Sequence, residues 1–355
     1  MSNNLPLHPL NTCWDLAASA VRAEALDAAL ELKLFDALTE PSTAAELAAR
    51  RDLHPLNTSH LLELLWSMGL LRRQRHDAEP DLYELSATAR EFLVREAPGY
   101  CGDAWRYRLT SLRGMASRLR AHVQQGPQLP QSAFQSATGA GWAAAARAQI
   151  GQEQRTISAA GALSIVGQLP QAQASRRLLD LGGGPGWIAI ELARHLPNLS
   201  GVVFDWPETA LVAQENIDSS GLSRRLSAQG GDVAVDSLGE NYDLVWCSSV
   251  LHFVPDIQAV LAKVMAAMAP GGLFIFVHAE LPPTAEEAAR VMPFYLPMRM
   301  VGRHVVPEGT TAALMADAGF IGINSFASGD FPMSPVQVVV GRKPQASERS
   351  ETSNV

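Results

Sequence analysis

Apolar positions along this chain follow two different periods. From Thr12 to Leu38 the segment TCWDLAASAVRAEALDAALELKLFDAL repeats Ala and Leu at helical spacing. Thr43 with Glu46 three residues later forms a capping-box start for a short helix, Ala44–Arg50. A turn at Leu53–Asn57 leads into a second helix, Thr58–Met68, and then to two short apolar runs separated by a charged stretch that ends at Asp81. Helix, turn, helix, strand, loop, strand reads as a winged helix-turn-helix. Residues 87–170 are helical, with Gly, Pro and Gln breaks near 124–131 and 139–141. From Arg177 to Lys343 the period changes. The runs LLDL, GVVFD, YDLVWC, LFIFVHAE and VQVVVGRK alternate with helical stretches, the pattern of a parallel sheet covered by helices on both faces. The expected organisation is a winged-helix unit over residues 1–100, a helical connector and pocket roof over 101–170, an α/β unit over 171–344 and a polar, disordered tail over 345–355.

Composition narrows the function classes. The 355 residues are 47% hydrophobic and 18% charged, enough apolar material for two globular domains. No apolar run is long enough to span a bilayer, and the N-terminus shows no basic segment followed by an apolar one. A net charge of −8 disfavours a generic nucleic-acid binder. The second helix of the winged module, TSHLLELLWSMGLL, offers few groups to base edges, so packing or dimerisation is favoured over DNA reading, with Arg72, Arg73 and Arg75 as a solvated turn. A winged-helix DNA-binding regulator stays as the alternative of another class. The three cysteines, Cys13, Cys101 and Cys247, fit neither a disulfide framework nor a zinc module, and the expected compartment is the cytoplasm.

The chemistry begins where LLDL runs into Gly182-Gly183-Gly184-Pro185-Gly186 and a helix. Glycines at a strand-to-helix turn let the backbone approach a ligand closely. Asp180 ends the first strand, and Asp205 ends the second, about 20 residues beyond the glycines, where an acid accepts from both ribose hydroxyls. Gly231-Asp232 places a further carboxylate to meet an adenine amine. Together DLGGGPG, VVFD and GGD resemble the class I S-adenosylmethionine-dependent methyltransferases. The resemblance implies cofactor contacts at Asp180, Gly182, Gly184, Gly186, Asp205, Trp206, Gly231, Asp232, Val233, Cys247 and Ser248. VLHFVPD (Val250–Asp256), APGG and VHAELP narrow it to the plant-type small-molecule O-methyltransferase family. That family implies a Rossmann-like seven-stranded methyltransferase sheet, an N-terminal α-helical winged-helix dimerisation domain and a homodimer. It also implies His252 as the base that takes the hydroxyl proton, flanked by Glu280.

One position departs from the family pattern. Val305 stands where a second acid would orient the base, with His304 beside it. Two histidines and one carboxylate resemble a facial triad for a divalent or trivalent metal, zinc or iron, with Asp256 as a weaker third ligand. The metal-dependent C-methyltransferases of 2-oxo acids, a subgroup of the same family, share this pair of histidines. This leads to an expected C-methyltransferase acting at C3 of a 2-oxo acid, 5-guanidino-2-oxopentanoate first among them. A metal held by His252, Glu280 and His304 would stabilise the enolate, and the product would be a β-methyl amino acid precursor. Metal-free O-methylation with His252 as base is the alternative. For an anionic acceptor, Arg299 and Arg303 offer bidentate cations. Tyr295 belongs to an apolar stretch read as the roof helix, and Asp103, Trp105 and Arg106 on the connector are expected to meet the substrate tail.

Overall fold

The computed structural model describes residues 7–75, 79–127 and 139–348, and the chain divides into two compact units, Met1–Arg113 and Gly114–Val355.

In the first unit the Ala/Leu-rich segment is a single helix, Asn11–Glu31. The capping box forms as its spacing implies: Glu46 N–H donates to the Thr43 hydroxyl, and Thr43 N–H donates to the Glu46 carboxylate at 2.8 Å. The next helix, Pro55–Ser67, starts three residues earlier than its apolar pattern suggests, because the His54 ring accepts from Asn57 N–H and Pro55 is suited to a first helical position. Strands β1 (Ser42–Thr43), β2 (Leu71–Gln74) and β3 (Leu82–Leu85) form a small antiparallel sheet in the order β1-β3-β2. Leu34, Phe35, Leu47, Leu62 and Leu65 are the centre of this unit's core. Arg73 is no solvated turn residue: its guanidinium lies 3.6 Å from the Trp66 ring centroid, with Asp81 at 3.6 Å. Trp14, Leu16 and Val21 on the first helix remain exposed.

The second unit is built on seven strands: β4 (Arg177–Leu181), β5 (Ser200–Asp205), β6 (Leu226–Gly230), β7 (Tyr242–Ser248), β8 (Met268–His278), β9 (Ile321–Ser328) and β10 (Val336–Arg342). Their order is β6-β5-β4-β7-β8-β10-β9, with β10 antiparallel to both neighbours. Alternation along each strand feeds two cores. Leu178, Leu244, Trp246, Ile275 and Val338 pack on one face, and Leu179, Val245, Cys247, Phe274 and Val339 on the other. Because β4 is followed in the chain by β5 on one side and bordered by β7 on the other, the winding direction reverses above its carboxyl end, and a crevice opens there. No helix among the described residues is long and apolar enough to cross a membrane.

Candidate active site

The glycine loop occupies that crevice. Gly182 and Gly184 have φ of +65° and +59°, which L side chains adopt only with strain. A Cβ on Gly182 would also lie 2.3 Å from the Val250 side chain, so the loop and the segment after β7 are in direct contact. Gly184 N–H donates to Asp205 Oδ2 at 2.8 Å, and Trp206 N–H donates to Oδ1 at 2.7 Å. Each oxygen keeps a second acceptor direction. Burial pushes Asp205 up to about 6, against the opposing hydrogen bonds of Gly184 and Trp206. Asp180 is buried beneath the loop and pushed up to about 7, first by burial and then by the charge of Asp205. Its Oδ2 has no hydrogen-bond partner among the described residues.

Around this centre lie the other residues expected at the cofactor site. Gly186 sits at the N-terminus of helix Trp187–His195. Gly231 N–H donates to the Asp205 carbonyl at 2.9 Å. Asp232 accepts from Ala234 N–H at 2.8 Å, and Ser248 ends β7 half-buried. The side chains of Val233 and Cys247 belong to the core, where burial raises the Cys247 thiol well above its ordinary value. Sequence reading missed Gln154. Its Nε2 donates to the Gly183 carbonyl and its Oε1 accepts from Trp187 N–H, both at 3.1 Å, so one buried amide staples the loop to the helix that follows it. Gln154 opens a π-helical turn, Gln154–Ser158. The sequence hint is a polar run, Gln152-Glu153-Gln154, inside an Ala-rich helix.

His252 lies beyond β7, past Ser249 with φ +56°. It is 2% exposed. Its Nδ1 meets the backbone carbonyl of His304, and His304 N–H donates back to the His252 carbonyl at 3.2 Å. A carbonyl only accepts, so Nδ1 carries the hydrogen and Nε2 presents a lone pair. That Nε2 is buried with no hydrogen-bond partner among the described residues. Burial, and next the neighbouring His278, depress His252 to about 4. The rings of His278 and Tyr295 stand 5.5 and 5.6 Å from it.

Glu280 accepts at its oxygens from Gly309 N–H at 2.8 Å and Thr311 N–H at 2.9 Å, at the start of helix Thr310–Asp317. β8 ends at His278, whose ring stands against His252. The expected metal triad is therefore corrected. Glu280 is committed to the helix start, and the contact of His304 with His252 runs through its backbone. Asp256 is an exposed N-cap accepting from Ala259 N–H. Among the described residues, no three His, Cys, Asp or Glu side chains are grouped to hold an ion, and this donor set does not fit zinc or iron.

Of the residues expected at the substrate, Tyr295 is buried beside His252 on helix Ala285–Met300. Arg303 donates to the Phe253 carbonyl at 3.0 Å and lies over the Phe253 ring, whose edge also meets Trp142. Arg299 is exposed and reaches only the Met292 sulfur, at 3.7 Å. Asp103, Trp105 and Arg106 fall in the first unit. There Arg106 is taken up by Asp27 and Glu31, and Asp103 accepts from the Tyr100 hydroxyl.

Comparison with known proteins agrees with this geometry. Residues 117–321 match the O-methyltransferase domain, and residues 14–95 match the O-methyltransferase dimerisation domain. The tetracenomycin polyketide synthesis 8-O-methyl transferase of Streptomyces glaucescens is 30% identical over 91% of this chain and 94% of its own length. Acetylserotonin O-methyltransferase of Mus musculus is 30% identical over 86% and 82%. The crystal structure of human N-acetylserotonin methyltransferase in complex with SAM shares the fold, with a TM-score of 0.73 at 21% identity over 97% of this chain and 100% of that one.

Proposed function

The chain belongs to the O-methyltransferase family and is a methyltransferase, and on that premise we propose that it methylates a hydroxyl oxygen of a small molecule, with S-adenosylmethionine as donor and His252 as general base. The observation that carries this reading is the orientation of His252. Its Nδ1 is fixed by a backbone carbonyl, and its Nε2 is an unpaired buried acceptor two residues from Val250, which touches the glycine loop.

S-adenosylmethionine supplies an electrophilic methyl group, so the protein's task is to align and activate the nucleophile. His252 is unprotonated at neutral pH, and its Nε2 takes the acceptor's O–H proton while the methyl passes to oxygen, its bond to sulfur breaking and the neutral thioether leaving. Asp205 offers its two remaining acceptor directions to ribose hydroxyls. The loop from Gly182 to Gly186, with Asp180 beneath it, would hold the methionine end, and Gly231, Asp232 and Val233 would hold the adenine. Arg303 has no carboxylate within ion-pair distance among the described residues and is the cation available to an anionic group on the acceptor. The dimerisation-domain match supports a homodimer, and the exposed Trp14 and Val21, seven residues apart on one helix, give that unit an apolar stripe to cover.

Oxygen is favoured over carbon for two reasons. Methylation at C3 of 5-guanidino-2-oxopentanoate or another 2-oxo acid is expected to rest on a chelated enolate, and among the described residues no three chelating side chains are assembled. The two 30%-identical relatives above are named as O-methyltransferases.

The test is mass spectrometry of reactions with S-adenosylmethionine and parallel panels of hydroxylated aromatics and 2-oxo acids, run for the wild type and for His252→Gln. The expected result is one methyl on oxygen of a hydroxylated acceptor. His252→Gln should lower kcat by roughly 10²- to 10⁴-fold with cofactor affinity unchanged. A methyl on C3 of a 2-oxo acid, or full activity in His252→Gln, would overturn the reading.

A further inference from the structure

We propose that Thr311 and Glu280 are positioning residues: acting through His278, they hold in one tautomer the ring that packs against the base, His252. The proposal deepens the reading of His252 given above and rests on it.

The argument starts from hydrogen counting. Glu280 is ionised, held down to about 2 against the opposing effect of burial by the neighbouring His278, by the Thr311 hydroxyl and amide, and by the Gly309 amide. An ionised carboxylate only accepts. Its Oε1 takes Thr311 N–H and stands 3.5 Å from His278 Nε2. The Thr311 hydroxyl stands 2.6 Å from the same nitrogen. A lone pair on Nε2 would face the carboxylate and be repelled, so Nε2 carries a hydrogen and donates it to Thr311. The Thr311 hydroxyl in turn donates to Glu280, which closes a chain from His278 through Thr311 to Glu280.

All three members are buried. Phe276 stacks on the His278 ring at 4.2 Å and 22°, fixing its plane. The His252 ring is 5.5 Å away. The titratable groups around His252 are then His278, His304 and Tyr295, and the position beside His304 is the buried, apolar Val305. Among the described residues, no acid is in hydrogen-bond or ion-pair contact with the His252 ring. The charge of Glu280 reaches it one residue removed, through a ring that cannot turn. Thr311 is suited to this because its amide and its hydroxyl serve Glu280 and His278 together. The N-terminus of helix Thr310–Asp317 thereby sets the tautomer of a histidine in the site.

The experiment is long-range ¹H–¹⁵N correlation spectroscopy of the full chain labelled with ¹⁵N-histidine, for the wild type, Thr311→Val, Thr311→Ser and Glu280→Gln. His278 and His252 are assigned by the loss of their signals in His278→Gln and His252→Gln. The wild type should show His278 as the Nε2–H tautomer and His252 as the Nδ1–H tautomer. Thr311→Val, which keeps the amide and removes only the hydroxyl, should mix the His278 tautomers and move the His252 signals. Glu280→Gln should do the same, and Thr311→Ser should restore the wild-type spectrum. With an acceptor in hand, kcat should fall roughly tenfold in Thr311→Val with KM for S-adenosylmethionine unchanged, and Ser should rescue it. An Nδ1–H tautomer at His278 in the wild type, or a Thr311→Val spectrum identical to wild type at both rings, would overturn the proposal. Turnover surviving in His252→Gln would instead refute the base assignment and leave the spectral result standing.

Discussion

Asp180 is where the site and the stability of the fold meet most directly. It is fully enclosed beneath the glycine loop, with one oxygen unpartnered, and burial followed by the charge of Asp205 raises it to about 7. In the unfolded chain it titrates near 3.9. The sign is the reverse of the usual carboxylate. Between these two values the folded state holds a proton that the unfolded state has released, so stability falls as pH rises through the window and is level above it. At about 1.4 kcal/mol per pH unit, the two units from pH 5 to pH 7 correspond to roughly 2.7 kcal/mol of lost stability. Asp180→Asn removes the titration while keeping shape and an acceptor for the Ala189 amide. Its buried amide nitrogen adds an unpaired donor whose cost of about 1–3 kcal/mol is the same at every pH. The variant-minus-wild-type difference in urea-unfolding free energy should therefore move by about 2–3 kcal/mol in favour of Asn between pH 5 and pH 8. Taking the difference removes the contribution of His252, which titrates in the same range, and leaves that of Asp205 only through its coupling to Asp180. An equal difference at pH 5 and pH 8 would refute the claim that Asp180 is held protonated by its surroundings.

Two further outcomes follow from the same residues. Asp205→Asn replaces one of two oxygens that accept from Gly184 and Trp206 with a donor facing a donor, so calorimetry should show the Kd for S-adenosylmethionine rising about 100-fold or more, from the loss of one or two charge-assisted bonds; unchanged affinity would remove the ribose role. His252 is depressed to about 4, so the acid limb of kcat/KM should lie well below the ordinary imidazole value near 6.5, and a limb at 6.5 in a pH-rate profile would show that the base is not this buried ring.

The glycine turn and the capping box were legible because each is local: a glycine run between a strand and a helix, and a Thr three residues before a Glu, are set by residues a few positions apart. β9 was not legible. Ile321–Ser328 is a half-exposed edge strand whose sequence, IGINSFAS, carries too few apolar residues to announce a period of two, and it is held by pairing with β10. Gln154 was equally silent, since its role depends on a π-helical turn that aims one amide at a loop 29 residues away. Arg106 read as a substrate contact because the connector faces the pocket in the family this chain resembles, yet Asp27 and Glu31 from a distant helix claim its guanidinium.

The place of His278 against His252 has a more instructive cause. The period of two in a strand places residues 278 and 280 on one face, so sequence alone offers both to His252, and the carboxylate is the more familiar partner for an imidazole. The rule holds only while the strand continues. β8 stops at His278, and two residues later the unpaired amides at the start of helix Thr310–Asp317 take up the carboxylate, because those amides need acceptors whatever the site requires. The base is then oriented by a backbone carbonyl instead of an acid. A carbonyl fixes the tautomer as firmly as a carboxylate does but adds no full negative charge to offset burial and the neighbouring His278, which keep His252 neutral deep into the acid range. Val305 is thus no missing ligand to be replaced by a metal. It is the apolar neighbour that an uncharged orienting group permits.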